Sequence, residues 1–415
     1  MTPTPAPPEP PYKVTSAADI LSYIPHTLGF QPRESLVLLT MCGKRVGATL
    51  RVDLPEDDQD PEGYAAGVCS ILAADTSADG SLLVLYTSDP WKEAESPPRL
   101  ELVHCLRVCL KATGLQLRDG WLVTATAWRD YFCDSQSCCP WPGHPLESVL
   151  DSPLNAELVF RGSSFASSLS AAMETDTPEP WTDPVALDRL CQGQRVMLGR
   201  RWTSTAQLVA TIAVWDCLLV HSTAAVRLED PEVAAHLLAS LGSRTLRDTV
   251  LVLAALGWEA ALGGAVGNGL GRSGRGAAYL PPGAWALLGL EPGQSLPPTS
   301  HAPDESHTRG FCDVLIGQHR GPLLWERVDA AHLLLSRLSA VAGGESRAAL
   351  LTMLGWIEWA RGRGSRAHMY LLGALEEEPG YSLAELLQEV VARGMLAEWS
   401  RDGELAWHNG LPHPA

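Results

Sequence analysis

Apolar and polar positions alternate with two different periods over the first 150 residues of the chain. Segments with the 3.6-residue period of a helix take turns with short apolar runs that are typical of strands. The helix-like segments are 17–24, 61–74 and 99–112, and the strand-like runs are 35–41, 45–54, 81–87 and 120–128. Ser16 is placed to cap the first helix, and Pro25 and Gly29 are placed to end it. This alternation predicts a mixed α/β domain over residues 15–150.

The second half of the chain has helix-like spacing almost throughout. The segments with this spacing are 183–190, 205–221, 230–241, 245–261 and 323–342. Residues 151–262 therefore predict a helical segment, and helical spacing resumes over 321–415. Between them, residues 263–320 are rich in Gly and Pro and predict a loop region. The predicted fold is an α/β domain followed by an all-α C-terminal region.

Residues 348–381 carry the spacing of a tetratricopeptide repeat, which is a hairpin of two helices. The matching positions are Leu351, Leu354, Gly355, Gly362, Ala367, Leu371, Ala374 and Pro379. Gly355 and Ala367 are small where the two helices of such a hairpin cross closely. Glu358 stands where the repeat pattern has an aromatic residue. Because no matching repeat precedes it, we expect this hairpin to pack on the rest of the helical region instead of forming a peptide-binding groove.

Composition narrows the class of protein. The chain has 415 residues, 46% of them hydrophobic and 19% charged, with a net charge of −17. This acidic balance disfavours nucleic acid and anionic membranes as partners, because both bind through excess Lys and Arg. Residues 1–14 hold six prolines before Tyr12 and predict a disordered tail, with no pattern of a secretory signal. We expect a cytoplasmic protein whose ten cysteines are mostly reduced.

A cysteine cluster is the sharpest chemical feature of the sequence. Cys133, Cys138 and Cys139 fall within seven positions, and His144 follows shortly after. Thiolates bind Zn or Fe, so these four residues are the predicted metal ligands. The spacing lacks the two separated Cys-x-x-Cys pairs of a zinc ribbon. A redox pair and a structural turn with packed thiols therefore stay open as alternatives.

Two further segments resemble chemical motifs but have simpler interpretations. Residues 269–274 spell a dinucleotide-type glycine pattern, but it follows a predicted helix where the motif needs a strand. We interpret it as a linker, so no cofactor-binding residue is predicted. His26, Arg33, Glu34 and Ser35 lie in a predicted helix-to-strand loop and could line a pocket. The simpler interpretation is a helix cap at Gly29 followed by the start of a strand.

Several short motifs spread along the chain match one family together. They are Tyr23-Ile24-Pro25, Leu28-Gly29-Phe30, Pro32, Ser35-Leu36-Val37, Arg51-Val52-Asp53-Leu54-Pro55, Tyr131, Cys133, Cys138-Cys139-Pro140, Gly143, Ser152-Pro153, Ala156-Glu157, Arg161-Gly162, Pro379-Gly380-Tyr381 and Leu383-Ala384. On these residues the chain resembles the bacterial family called domain of unknown function 4192, typical of high-GC bacteria. Residues 263–320 match less well, and His26 and Gln31 depart from the family's pattern. The name implies no activity, so the resemblance supports the architecture and adds no mechanism.

Two functions follow as hypotheses from these observations. The first is a cytoplasmic interaction or regulatory protein without catalytic activity, whose partner is another protein. It follows from the helical half, the acidic balance and the lack of a recognisable catalytic constellation; no catalytic residue is predicted. The second is a metal-binding or redox protein, or an enzyme, that uses Cys133, Cys138 and Cys139 with Zn or Fe as the metal.

Overall fold

The computed structural model describes residues 13–56, 59–89, 91–93, 95–220, 228–270, 277–292, 294 and 305–408. The chain divides into two compact units. The first comprises the described residues up to Glu174 together with His408, and the second comprises Thr175–Trp407. Most of the predicted tail lies outside the described residues. The architecture confirms the predicted mixed α/β fold followed by a mostly helical region.

Six strands in the described part of the first unit form one mixed sheet. They are β1 (Ser35–Cys42), β2 (Arg45–Asp53), β3 (Gly80–Tyr86), β4 (Leu117–Val123), β5 (Ala127–Asp130) and β6 (His144–Pro145), in the order β2-β1-β3-β4-β5-β6. Only the β3–β4 pair is parallel; the other neighbouring pairs are antiparallel. A parallel pair needs a crossover connection, and a helix between β3 and β4 supplies it.

The central strands are buried on both faces, which explains their continuous apolar sequence. Along β1, Leu36 and Leu38 face one core cluster, whereas Val37 and Leu39 face the other. The helices of this unit are α1 (Ala17–Leu28), α2 (Pro61–Leu72), α3 (Leu100–Ala112), α4 (Glu147–Leu150), α5 (Pro153–Phe160) and α6 (Leu169–Thr175). α1 and α5 cover one face and α2 and α3 cover the other. The N-terminal unit is therefore a three-layer arrangement around the sheet.

Three predictions for the N-terminal unit differ from the structure. The strand predicted over residues 120–128 is two antiparallel strands, β4 and β5. The first helix continues past Pro25 to Leu28, because its left-handed cap is Gly29, whose N–H donates to the Pro25 carbonyl. We expected the domain to end near residue 150. The compact unit extends to Glu174, since α5 buries Leu154 and Leu158 in the same core as α1.

The second unit is built of helices in the residues that the structure describes. They are α7 (Pro184–Leu198), α8 (Thr205–Val220), α9 (Pro231–Ser240), α10 (Arg244–Leu256), α11 (Trp258–Gly267), α12 (Pro282–Leu287), α13 (Glu305–Leu315), α14 (Trp325–Ser339), α15 (Gly344–Ala360), α16 (Gly364–Glu377) and α17 (Ser382–Ala392). Short 3-10 helices occur at Gly199–Thr203 and Glu398–Arg401. Among the described helices, none combines the length and the apolar character needed to cross a membrane.

Two helical predictions need correction in this unit. The helix expected over residues 245–261 is two helices, because Gly257 adopts φ +85° and turns the chain between them. Residues 263–320, expected as a loop region, contain the end of α11, all of α12 and all of α13. Gly and Pro in this stretch separate short helices, and Pro282 opens one of them as its first residue.

The hairpin expected over residues 348–381 is present as α15 and α16. A Cβ atom on Gly355 would lie 2.8 Å from Leu371, so only glycine allows the two helices to approach this closely. Ala367 is fully buried at the same contact. Most of α15 is buried on every side, which agrees with the expectation that the hairpin packs into the helical unit instead of presenting a groove.

Glu358 on α15 is a fully buried carboxylate surrounded by cationic side chains. It lies 2.6 Å from Arg361, 3.3 Å from Arg366, 3.4 Å from Arg363 and 3.2 Å from the imidazole of His332. Burial alone would raise the pKa of Glu358, but the contact with His332 and the arginines outweighs burial and lowers it to about 2. The position that holds an aromatic residue in the repeat pattern is thus the centre of an ion cluster.

The ion cluster extends outward to Asp329, Asp176 and Trp407. Asp329 pairs with Arg361 at 2.6 Å and accepts a hydrogen bond from the Trp407 indole. Arg366 pairs with Asp176. The Arg361 guanidinium also lies 5.1 Å from the centroid of the Trp407 ring. These contacts connect both ends of the helical unit to its hairpin. The negative and positive charges of the cluster are then nearly equal in number.

We expect Glu358→Ala to lower the free energy of unfolding by about 3–5 kcal/mol, because it leaves buried arginines without their anion. Urea unfolding followed by circular dichroism measures the change. Glu376→Ala, at an exposed position on α16, is the matched control and should change stability by no more than about 0.5 kcal/mol. Equal effects of the two substitutions would contradict the stabilising role of the cluster.

The Glu358 pKa also predicts a pH dependence of stability. Because this pKa is about 2 in the folded chain against an ordinary value of 4.5, its contribution is present above pH 4.5 and is lost as the pH falls toward 2. The stability difference between the wild type and Glu358→Gln should therefore narrow by roughly 3 kcal/mol over this window. Urea unfolding at a series of pH values tests this, and a difference independent of pH would contradict it.

Candidate functional site

The cysteine cluster lies in the connection between the last two strands of the sheet. Residues 131–143 leave β5 and return to β6, which pairs with β5 through Trp128 and His144. The connection is anchored at its start, because the buried Tyr131 donates a hydrogen bond from its hydroxyl to the Pro98 carbonyl. A tight turn follows, in which the Cys139 N–H donates to the Ser135 carbonyl at 2.9 Å. The sheet thus holds both ends of the cysteine loop.

Gly143 allows the loop to lie against β5. A Cβ atom at this position would be 2.6 Å from the Trp128 carbonyl oxygen, and the backbone has φ +146°. The next residue, His144, stacks on the Trp128 ring with 4.6 Å between ring centroids. The backbone of β5 and one indole ring therefore fix where the loop ends.

The structure brings the three predicted thiols together. The sulfur atoms of Cys133, Cys138 and Cys139 all lie within 4.8 Å of one another, and those of Cys133 and Cys138 are 3.4 Å apart. His144, the fourth predicted ligand, is not in this group, because its Nε2 atom lies 3.0 Å from the Cys138 carbonyl oxygen. Three sulfur donors therefore lie close together, whereas the His144 imidazole contacts the backbone of the loop.

The three thiols differ in their surroundings. Cys138 is exposed, and hydrogen bonds from the side chains of Cys133 and Ser135 to its sulfur lower its pKa below the ordinary thiol value. Cys139 is buried, and burial together with its neighbouring thiols raises its pKa to about 12. A metal ion binds thiolates and displaces their protons on binding. The sulfur of Cys138 is therefore accessible to a metal ion. The proton of Cys139 would be displaced only by an ion that binds thiolates strongly.

Arg129 is a buried cation beside this loop that the sequence analysis did not identify. Its side chain is only 6% exposed and lies against two indole rings, 4.6 Å from the centroid of Trp91 and 4.9 Å from that of Trp141. Its Nη2 donates to the Cys133 carbonyl at 3.4 Å, whereas Nε and Nη1 are buried without a hydrogen-bond partner in the described chain. A lone arginine in a strand gives no sequence signal for such a site. A buried, unpaired charge is costly unless an anion lies near it.

The residues expected to line a pocket between α1 and β1 do not form one together. The Ser35 hydroxyl is fully buried, donates to the Arg33 carbonyl and accepts from Arg51. The Glu34 carboxylate accepts from the backbone of Ser88 at 2.7 Å. These contacts fasten the loop to the sheet, in agreement with the simpler interpretation. The His26 imidazole instead contacts Asn155, in the first turn of α5, and Ser163, just after the end of that helix.

The dinucleotide-type glycine pattern falls largely outside the described residues. Gly269 is described and follows α11, so the segment before the pattern is a helix, not a strand. Residues 271–274 lie outside the described part of the chain. The preceding helix is the context expected for a linker.

The family of the chain follows from comparison with protein-family models. The model described as domain of unknown function (DUF4192) matches residues 18–263 and 323–398, which is most of the chain. The chain belongs to this family, as its motifs indicated. No curated protein and no solved structure matches the chain. The matched region includes the whole cysteine loop and the helical hairpin.

We expect Gly143→Ala to destabilise the protein by about 1–3 kcal/mol, since its Cβ would clash with the Trp128 carbonyl and its backbone conformation disfavours a side chain. Gly67→Ala is the control with the opposite sign. Gly67 lies on the exposed side of α2 with open space around it, so alanine there should stabilise by up to about 1 kcal/mol. Urea unfolding measures both. A neutral Gly143→Ala would show that the loop does not depend on this close approach.

Proposed function

We propose that the protein binds one thiophilic metal ion through Cys133, Cys138 and Cys139. The observation that carries the proposal is the grouping of three sulfur atoms within 4.8 Å on a loop held at both ends. A Zn–S bond is about 2.3 Å long, so sulfurs around a tetrahedral ion lie about 3.8 Å apart. The free thiols already approach this spacing, and a small contraction of the loop would close them around an ion.

Arg129 supports a cluster that becomes anionic. Three thiolates around Zn²⁺ would carry one net negative charge, and the guanidinium that lies against Trp91 and Trp141 beside the same loop would balance it. In the free protein, Arg129 is buried with two nitrogen atoms unpartnered in the described chain. Zn²⁺ is the ion that this donor set suits best, and Fe is the alternative expected from the sequence.

His144 enters the proposal as a positioning residue instead of a ligand. Its contact with the Cys138 carbonyl and its stacking on Trp128 orient the segment that carries Cys138 and Cys139. Three protein thiolates leave the fourth position of a tetrahedral ion for an outside ligand, as in metal sites that exchange ligands. A Cys133–Cys138 disulfide is the redox form of the same cluster, and it would compete with metal binding.

A regulatory role through another protein is the second candidate function. Its supporting observation is the net charge of −17, which favours a partner with a basic surface and disfavours nucleic acid and anionic membranes. We propose that the chain and such a partner meet in the cytoplasm, and that the partner distinguishes the metal-bound loop from the free loop. Affinity capture with the wild type and a Cys133/Cys138/Cys139→Ser variant tests this, because identical partners for both would remove the link to the thiols.

We expect protein purified without oxygen, or reconstituted with Zn²⁺, to hold about one metal ion per chain, since the three sulfurs form one site. Elemental analysis with thiol titration after unfolding measures it. Cys138→Ser should lose the metal, whereas Cys42→Ser, at an exposed cysteine outside the cluster, should retain it. Equal metal content in the two variants, or none in the reconstituted wild type, would contradict the proposal. A loss of two titratable thiols without metal would favour the disulfide.

A further inference from the structure

A second polar constellation lies in the N-terminal unit, outside the cysteine loop. His26, in the last turn of α1, is 4% exposed and bridges two side chains that are distant in sequence. Its Nδ1 lies 2.8 Å from the Ser163 hydroxyl, and its Nε2 lies 3.0 Å from the Asn155 amide oxygen. A serine hydroxyl, an imidazole and an amide that are linked by successive hydrogen bonds form the arrangement that activates a serine as a nucleophile.

The hydrogen bonds around Asn155 decide which nitrogen of His26 carries the proton. The Asn155 amide nitrogen donates to the Leu150 carbonyl at 2.7 Å, so its oxygen is the atom that faces His26. An amide oxygen only accepts, and Nε2 of His26 must therefore carry the hydrogen. Nδ1 is then the unprotonated nitrogen, and it accepts from the Ser163 hydroxyl. This is the direction of hydrogen bonding that general-base activation of a serine requires.

The local backbone holds the serine and the amide in place. Ser152 caps α5 by accepting from the Asn155 N–H, which sets Asn155 in the first turn of that helix. At the other end, Gly162 adopts φ +85° and the Ser163 N–H donates to the Leu158 carbonyl at 2.9 Å. The Phe165 ring packs edge-on against His26 with 4.8 Å between centroids. Helix caps and one aromatic contact thus fix the geometry without any metal.

We propose that Ser163 is the nucleophile of an ester-hydrolysing site in which Nδ1 of His26 is the general base and Asn155 the positioning residue. The Ser163 oxygen bonds to the ester carbonyl carbon while its proton passes to Nδ1. The bond to the alcohol then breaks, and the leaving alcohol takes that proton. Water attacks the acyl-enzyme, gives its proton to Nδ1, and the acyl–Ser163 bond breaks as Ser163 regains the proton. The net reaction converts ester and water into acid and alcohol.

Large exposed apolar residues precede Ser163 in the sequence and favour an apolar acyl group as the substrate. Ser163 is partly exposed, and the proposal requires that a substrate reach its hydroxyl from this side. Phe160, which is 87% exposed, and Val159 and Leu150, both more than half exposed, are large apolar side chains within the same short segment. The N–H of Ser164, directly after the nucleophile, is a backbone donor for the developing oxyanion, the role that the following residue plays in many serine hydrolases. This site shares no residue with the thiol cluster and does not depend on metal binding.

An alkyl fluorophosphonate, which phosphonylates activated serines and releases fluoride, tests the proposal on the full-length chain. We expect the label on the tryptic peptide that contains Ser163, as read by mass spectrometry of the wild type, and none in Ser163→Ala. His26→Gln should slow labelling at least about 100-fold, the size of a general-base contribution. Hydrolysis of p-nitrophenyl butyrate, measured in a Cys138→Ser background that removes one exposed thiol, should likewise be lost on adding Ser163→Ala.

Three controls separate a catalytic arrangement from a structural one. Ser167→Ala, at an exposed serine four residues along, should label at the wild-type rate. Asn155→Leu should slow labelling, whereas Asn155→Asp, which keeps an acceptor for Nε2–H, should restore much of the rate. Circular dichroism checks that each variant is folded. Labelling absent from Ser163 in the wild type, or equally fast in His26→Gln, would overturn the proposal and leave the three residues as a packing contact.

Discussion

Burial of the central strands on both faces is the constraint from which the rest of the N-terminal unit follows. β1, β3 and β4 place alternate side chains into two separate cores, one under α1 and α5 and the other under α2 and α3. Register is strongly specified under such a constraint, because a shift of one residue would exchange the two faces of each strand. With these strands fixed, the edge formed by β5 and β6 is rigid, and so is the end of α1.

Both chemical sites of this unit lie where that rigid frame meets irregular chain. The thiol loop begins and ends on neighbouring strands, and Gly143 and His144 hold its return against Trp128. The Ser163 constellation joins the last turn of α1 to the two ends of α5. In each case ordered elements supply positions, and a short loop supplies the reactive atom. Loops held by a rigid scaffold are where binding and catalysis commonly occur.

Two buried charged side chains, Glu358 and Arg129, have very different surroundings. Glu358 in the helical unit is surrounded by cationic groups and keeps its negative charge, so it acts as the centre of a balanced cluster. Arg129 in the sheet unit has two aromatic faces and a single carbonyl, with no carboxylate among its contacts in the described residues. The first arrangement is complete within the chain. We connect the second with the proposed metal binding, because ionised thiols in the neighbouring loop would supply an anion for it.

The class of fold, the family and the helical hairpin can be predicted from the sequence, since all of these depend on local periodicity and short motifs. The two-period pattern predicted the α/β half, and Gly355 and Ala367 marked the helix crossing before any contact was visible. The cysteine cluster can also be predicted from the sequence, because its three cysteines are close along the chain. Local breaks are harder to predict: Gly257 divides one predicted helix, and residues 120–128, which span the end of β4 and the start of β5, have the pattern of a single strand.

Contacts between residues that are distant in sequence depend on how the elements pack. Ser163 and Asn155 lie 137 and 129 positions from His26, and no spacing rule relates them; the packing of α5 on α1 does. The contacts of Arg129 with Trp91 and Trp141, and that of the His144 imidazole with the Cys138 carbonyl, likewise depend on tertiary packing. Periodicity records which face of an element is buried, whereas the identity of the neighbour on that face depends on how the elements pack.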